Sequence, residues 1–279
     1  MLLSLSTGCL YGFPLRTSFA LAAGAGFEGI ELVMTPEVWI RGTRCASSLA
    51  RDYGLEISSV HPTPLRISPR GRGVGSIRDA VIAALELGCR CAVVHVPGVT
   101  CWADPSAQQW LRVVEDCQMR TRDGVTRIAL ENRGLGPKLA VQSVLGELSA
   151  LVSFAREHDL DITFDTCHAG SAKLELLEAY EVLRERVVNV HFSDLKPLAH
   201  GMGLGVVRAF FAHHQVPGEG CLPLADLASR LATDGFSGPV TVEVGIVALR
   251  GWSSDQLRRQ LARIVRYMRS AFHRSDQQR

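Results

Sequence analysis

Lysine is nearly missing from this 279-residue chain: Lys138, Lys173 and Lys196 are the only three, and arginine supplies the other basic residues. With 30 basic and 28 acidic side chains the formal charge is +2, a balance that neither demands nor excludes an anionic substrate. No Cys-x-x-Cys pair occurs among the eight cysteines, which argues against a cysteine zinc cluster. The chain is too long for a small disulfide scaffold. The apolar start, Met1 to Leu10, lacks the basic flank and the length of a secretion signal. Reduced, mostly buried cysteines and a cytoplasmic location are therefore expected. No apolar run reaches the roughly 18 residues of a membrane-spanning helix, so no membrane partner is expected. A Pro/Gly/Ser-rich linker is absent as well, so residues 1–279 read as one domain. With 47% apolar and 21% charged residues, disorder is excluded and one large core can be buried.

A short apolar run followed by a helix-like stretch recurs along the chain. The runs are Leu3–Thr7, Gly29–Val33, Ile57–His61, Ala92–Val96, Arg127–Glu131, Ile162–Asp165, Val187–His191 and Val240–Val244. Continuous apolar strands of this kind are buried on both faces, as in a parallel sheet. Between them lie amphipathic segments, among them Ile77–Leu87, Val141–His158 and Leu224–Asp234. Eight alternations in about 250 residues favour an α/β fold of the (β/α)8 TIM-barrel type over an open doubly wound sheet. Neither GxGxxG nor GxxxxGK[ST] follows the first strand, so a nucleotide-binding sheet lacks its mark. The last helix, Ser254–Phe272, has Leu257, Leu261, Ile264, Val265 and Met268 on one face. Its arginines 258, 259, 263, 266 and 269 read as a solvated outer face rather than a nucleic-acid contact.

Seven of the eight runs finish on or beside a metal-capable side chain: Glu31, His61, His95, Glu131, Asp165, His191 and Glu243. In a (β/α)8 barrel every strand end opens onto one face, so residues distant in sequence converge. His168 and Asp194 follow Asp165 and His191 by three residues and can still reach that mouth. His213-His214, ahead of Pro-Gly-Glu-Gly, adds one more histidine candidate. One such residue alone is more often a hydrogen-bonded structural group than a ligand. Seven at one edge reverse that weighing, because several carboxylates and imidazoles buried together repel and desolvate one another unless a cation joins them. Carboxylate and imidazole donors suit Mn, Zn, Co or Fe better than Ca. Cys167 beside His168 is expected to point away from Asp165. His158 and His273 read as surface residues, and His200 receives no role.

Gly29-Ile30-Glu31-Leu32, Ala129-Leu130-Glu131-Asn132, Phe164-Asp165-Thr166-Cys167-His168, His191-Phe192-Ser193-Asp194 and Pro217-Gly218-Glu219-Gly220 together resemble the xylose-isomerase-like TIM-barrel superfamily. That group includes sugar isomerases and epimerases, inosose-processing enzymes, hydroxypyruvate isomerase and the endonuclease IV family. For the epimerase branch the resemblance implies one divalent metal (Mn, Zn or Co) on Glu131, Asp165, His191 and Glu243. The two glutamates then serve as an acid/base pair around a metal-stabilised enediolate, with His168 on a substrate oxygen. For the endonuclease IV branch it implies up to three zinc ions on His61, His95, Glu131, Asp165, His168, His191, His214 and Glu243. There the chain departs from the pattern, because Ala212 stands where that branch has an aspartate ligand.

The first expectation is thus an isomerase or epimerase of a small sugar, cyclitol ketone or hydroxyketone, with a carbohydrate-like small molecule as partner. In this reading His61, His95, His168 and His214 bind substrate or a further metal. The second is a metal-dependent phosphoesterase acting on abasic DNA or another phosphodiester; near-neutral charge places nucleic acid behind a small molecule. A homo-oligomer remains open. Specificity is expected from the loops Thr63–Ser76, Val99–Ser106 and Pro197–Val216.

Overall fold

Eight apolar runs pair in chain order, each parallel to the next, and the eighth closes on the first. The computed structural model describes residues 1–63, 74–134, 142–197 and 211–273. The strands are β1 (Leu2–Ser6), β2 (Gly29–Val33), β3 (Glu56–His61), β4 (Cys91–His95), β5 (Arg127–Glu131), β6 (Asp161–Asp165), β7 (Val187–Phe192) and β8 (Pro239–Val242). Around them, among the described residues, run α1 (Leu15–Ala25), α2 (Pro36–Arg41), α3 (Thr43–Tyr53), α4 (Val74–Leu87) and α5 (Pro105–Thr121). The second half adds α6 (Leu148–Glu157), α7 (Thr166–Ser171), α8 (Leu176–Leu183), α9 (Leu224–Thr233) and α10 (Ser254–His273). This is the (β/α)8 barrel expected from the sequence.

Period-two alternation gives each strand two faces. Leu3, Leu5, Ile30, Leu32, Val60, Val94, Leu130, Phe164, Phe192 and Val242 join the apolar core that also takes in the helices. Residues between them are buried too, but many are polar: Ser4, Glu31, Ser59, Thr163, Asn189 and Thr241. Several of them bond to polar groups of other strands. Ser4 Oγ lies 2.8 Å from Ser58 Oγ, and Thr241 Oγ1 lies 3.2 Å from Asn189 Oδ1. The barrel therefore carries a hydrogen-bonded polar layer beneath its mouth, as buried polar groups require.

Two register shifts shape this interior. Ile30 pairs with Ile57 but Glu31 pairs with Ser59, so Ser58 is an extra residue in β3; a second shift falls between Ile162 and Thr163. Such bulges re-aim the side chains that follow. Register then sets His95 beside Glu131, and Asp165 beside His191. Helix ends follow local chemistry: Gly26 and Gly54 cap α1 and α3 at φ of 92° and 65°, a left-handed region that favours glycine.

Strand bounds match the sequence reading to within a residue or two, with three differences. Thr7 leaves β1 and opens a 3-10 turn, where its Oγ1 accepts the Val33 N–H at 2.8 Å. Glu243 lies one residue beyond β8. The helix expected over Val141–His158 is confined to Leu148–Glu157, since residue 141 lies outside the described residues and 142–147 form turns. The reason is local: Val144 N–H bonds to Val99 O and Gly146 N–H to Ser143 O, which takes these donors away from a helix. The final helix shows all five named arginines exposed, in keeping with a solvated face. His273 is exposed at its end, whereas His158 is half-buried and stacks on Phe154 with ring centres 4.1 Å apart. His200 lies outside the described residues, as do 64–73 and 198–210 of the expected specificity loops.

Candidate metal centre

Glu131 ends β5, Asp165 ends β6, His191 lies near the end of β7 and Glu243 follows β8. One ligand atom from each falls within 4.8 Å of the others. His191 Nδ1 is at the middle, 3.1 Å from Glu131 Oε1, 3.1 Å from Glu243 Oε2 and 3.6 Å from Asp165 Oδ2. A second group shares Glu131: His95 Nε2 lies 2.9 Å from Glu131 Oε2, and His61 Nε2 lies 3.1 Å from His95 Nε2.

Neighbouring bonds fix how each side chain is presented. Asp165 caps α7, where its Oδ1 accepts the His168 N–H at 2.6 Å, which leaves Oδ2 for the site. Asn132 holds the adjacent backbone twice, accepting Asp165 N–H at 2.6 Å and donating to Asp165 O at 3.0 Å. His61 Nδ1–H donates to Pro62 O at 2.6 Å, so Nε2 faces Glu131 and His95. His168 Nδ1–H donates to Asn132 O at 3.0 Å, keeping Nε2 for a ligand. Glu31, for which sequence reasoning gave no role, accepts from Ser59 Oγ at 2.9 Å and from His191 Nε2 at 3.0 Å. Its signal was its place in the ring of strand ends; its pairing with Ser59 follows the β3 bulge.

The charges compensate one another strongly. Burial favours a neutral Glu131, yet His95, His168, His191 and His61 hold its carboxyl well below the usual range. Glu243 is likewise lowered, against burial, by His191, His214 and His61. Burial pushes His61 down, but Glu131, Glu31 and Glu243 outweigh it and raise the imidazole to about 9. Burial pushes His191 down as well, but Glu31, Glu243, Asp165 and Glu131 outweigh it and raise the imidazole well above its ordinary value.

These residues fit a divalent metal by a direct test. Glu131 Oε2 and Asp165 Oδ2 are buried oxygens with no hydrogen-bond donor among the described residues, and His95 at 2.9 Å is not aligned to supply one to Glu131. Buried carboxylate oxygens left so are costly unless something cationic joins them. The donor set of three carboxylates and an imidazole, with a flanking pair of imidazoles, is consistent with such an ion.

Above the cluster lies a cavity of about 330 Å³, lined by His61, His95, Glu131, Asn132, Arg133, His168, His214 and Glu243 among others. All four of the additional histidines named from the sequence thus reach it. A larger groove of about 650 Å³ is lined by Arg90, Arg127, Val187 and Gly238, near the opposite ends of the strands, with no metal-capable cluster among its described residues.

Two residues leave the candidate site. Asp194 does not reach the mouth: its Oδ1 accepts N–H groups of Leu195 and Leu222, and its Oδ2 those of Gly218 and Gly220, at 2.8–3.0 Å. The Pro217–Gly220 motif is therefore a turn folded around a carboxylate. Gly220 is required there because a Cβ would stand 2.3 Å from Asp194 Oδ1. Cys167 turns away as expected; its buried thiol, pushed well above its ordinary pKa by burial, accepts the His214 N–H at 3.2 Å. All eight cysteines are free and five are buried. No described helix is long and apolar enough to cross a membrane.

Among solved structures the chain is similar to a D-tagatose 3-epimerase-like protein, with TM-score 0.73 and 20% identity, covering 100% of this chain and 99% of the other. It is also similar to a D-psicose 3-epimerase from Clostridium cellulolyticum H10, with TM-score 0.72 and 14% identity, covering 98% and 99%. At these identities the likeness is one of fold. An uncharacterized protein of Mycobacterium tuberculosis is 27% identical over 285 aligned positions, 95% of this chain and 96% of the relative. The family model described as Xylose isomerase-like TIM barrel matches residues 19–270, and the chain belongs to that family.

Proposed function

We propose that the chain is a divalent-metal-dependent isomerase or epimerase of a small sugar, cyclitol ketone or hydroxyketone. The observation that carries this reading is the placing of two glutamates, Glu131 and Glu243, at one nitrogen of His191, each with an oxygen 3.1 Å from Nδ1 and both lining one cavity. Its volume of about 330 Å³ suits a small molecule. Glu131, Asp165, His191 and Glu243 would hold the ion. A bound divalent cation supplies Lewis acidity for neighbouring carbonyl and hydroxyl oxygens. Of the two glutamates, one takes a proton from the carbon beside the carbonyl and the other returns one, at the neighbouring carbon or the opposite face. Half-buried Glu243 is the better placed of the two to shift toward substrate, since Glu131 is held among four histidines. His168 presents Nε2 to a substrate oxygen. Neighbours named as sugar 3-epimerases support the reading.

The trio His61, His95 and Glu131 favours a second reading, a phosphoesterase with more than one ion. Incubation with a panel of ketoses, inososes and hydroxypyruvate in D2O separates the two. The isomerase reading expects deuterium at the carbon beside the carbonyl by NMR, suppressed in Glu243→Gln more than substrate binding is weakened. Cleavage of an abasic oligonucleotide or activated phosphodiester, with no exchange in any carbonyl compound, overturns it.

A further inference from the structure

Arg133 stands two residues beyond β5 and lines the same cavity as Glu131 and Glu243. Among the described residues its Nε is buried without a hydrogen-bond partner, and no carboxylate lies within ion-pair distance of its guanidinium. The segments outside the described residues that follow β3, β5 and β7 offer none either. Residues 64–73, 135–141 and 198–210 contain no Asp or Glu, and their formally charged side chains are Arg66, Arg70, Arg72, Lys138 and Arg208. The backbone on either side of it is also held. Asn132 before it is bonded twice to the Asp165 backbone, and Gly134 after it packs so closely on His168 that a Cβ would stand 2.5 Å from the ring. The guanidinium lies over Gly98, where an added Cβ would be 2.9 Å from both terminal nitrogens. A partly buried cation held without an anion is destabilising by itself. A ligand that brings the anion removes that cost.

We propose that Arg133 is an oxyanion subsite, so that the substrate carries a carboxylate or phosphate group in addition to its carbonyl. This rests on the isomerase reading above and narrows its substrate class. The planar guanidinium pairs with either oxyanion through two parallel N–H···O bonds, which a neutral hydroxyl cannot match. Asn132 and Gly98 act as positioning residues for it.

The test is calorimetric titration of the full chain, loaded with Mn, using glycerol, glycerate and glycerol 3-phosphate as probes. At least one anionic probe is expected to bind about tenfold or more tightly than glycerol. That ratio should fall close to one in Arg133→Met at unchanged metal content, and persist in part in Arg133→Lys. Gly98→Ala leaves the arginine chemistry intact but displaces the guanidinium, so it should weaken the same preference and serves if Arg133→Met folds poorly. The glycerate and phosphate arms tell which oxyanion is preferred. A ratio unchanged in Arg133→Met, or absent in the parent chain, overturns the subsite. If D2O exchange with neutral ketoses is present in that case, the isomerase reading stands without it. Anion binding through Arg133 with no exchange in any carbonyl compound sinks the isomerase reading and leaves the subsite.

Discussion

Glu31 Oε2 lies 3.0 Å from Nε2 of His191, with both side chains fully buried, so the opposite ring nitrogen is turned toward Glu131 and Glu243. A carboxylate behind a ligating histidine fixes its tautomer and raises its basicity. Glu31→Gln should therefore weaken metal binding by about 10–100-fold without abolishing it. Competition against a chromophoric chelator measures this; an unchanged affinity shows that Glu31 has no such role.

Asp165 and His168 are three residues apart yet present different atoms to the cavity. Asp165→Asn removes an anionic oxygen from the four-residue cluster and should lose most bound metal. His168→Ala should keep the ion and lose turnover, because its Nδ1 is committed to Asn132 O. Elemental analysis of both variants decides the point, and equal metal loss in the two contradicts the division of roles.

The metal-free protein should depend on pH in a defined direction. His61, ordinarily near 6.5, is raised to about 9, so its contribution to stability is present below 6.5 and lost as pH rises toward 9. Glu131 and Glu243 are depressed below 4.5, so theirs is present above 4.5 and lost as pH falls through their lowered values. The chelated protein should show its highest Tm between about 4.5 and 6.5 and fall between 6.5 and 9. Metal-saturated protein should not fall over that upper range, since the ion takes the place of the imidazole protons. A Tm of the chelated form that climbs from 6.5 to 9 contradicts the assignment.

Asp194 tests the structural reading of the His191-Phe192-Ser193-Asp194 motif. Removing the acceptor of four backbone N–H groups in Asp194→Ala should cost about 3 kcal/mol or more in denaturant unfolding. Metal affinity should stay close to that of the parent chain. A loss of the ion at unchanged stability places Asp194 back among the ligands.

The sequence by itself determined the barrel and the identity of its metal-capable rim. Strand runs that end on His61, His95, Glu131, Asp165 and His191 are a local pattern, and closure of a (β/α)8 barrel turns that pattern into one mouth. Tertiary structure alone decided which of these atoms face one another. Glu31 meets His191 across 160 residues, and an extra residue in β3 sets Ser59 beside it, a shift that leaves no periodic trace in the sequence. Asp194, spaced from His191 as His168 is from Asp165, turns instead to backbone N–H groups of the Pro217–Gly220 turn. Arg133 likewise reads as one arginine among many, and only the packing of Gly98, Asn132 and Gly134 reveals a half-buried cation without an anion among the described residues. Spacing brings candidates to the strand ends, whereas which of them turn into the mouth depends on hydrogen bonds between segments far apart in the chain.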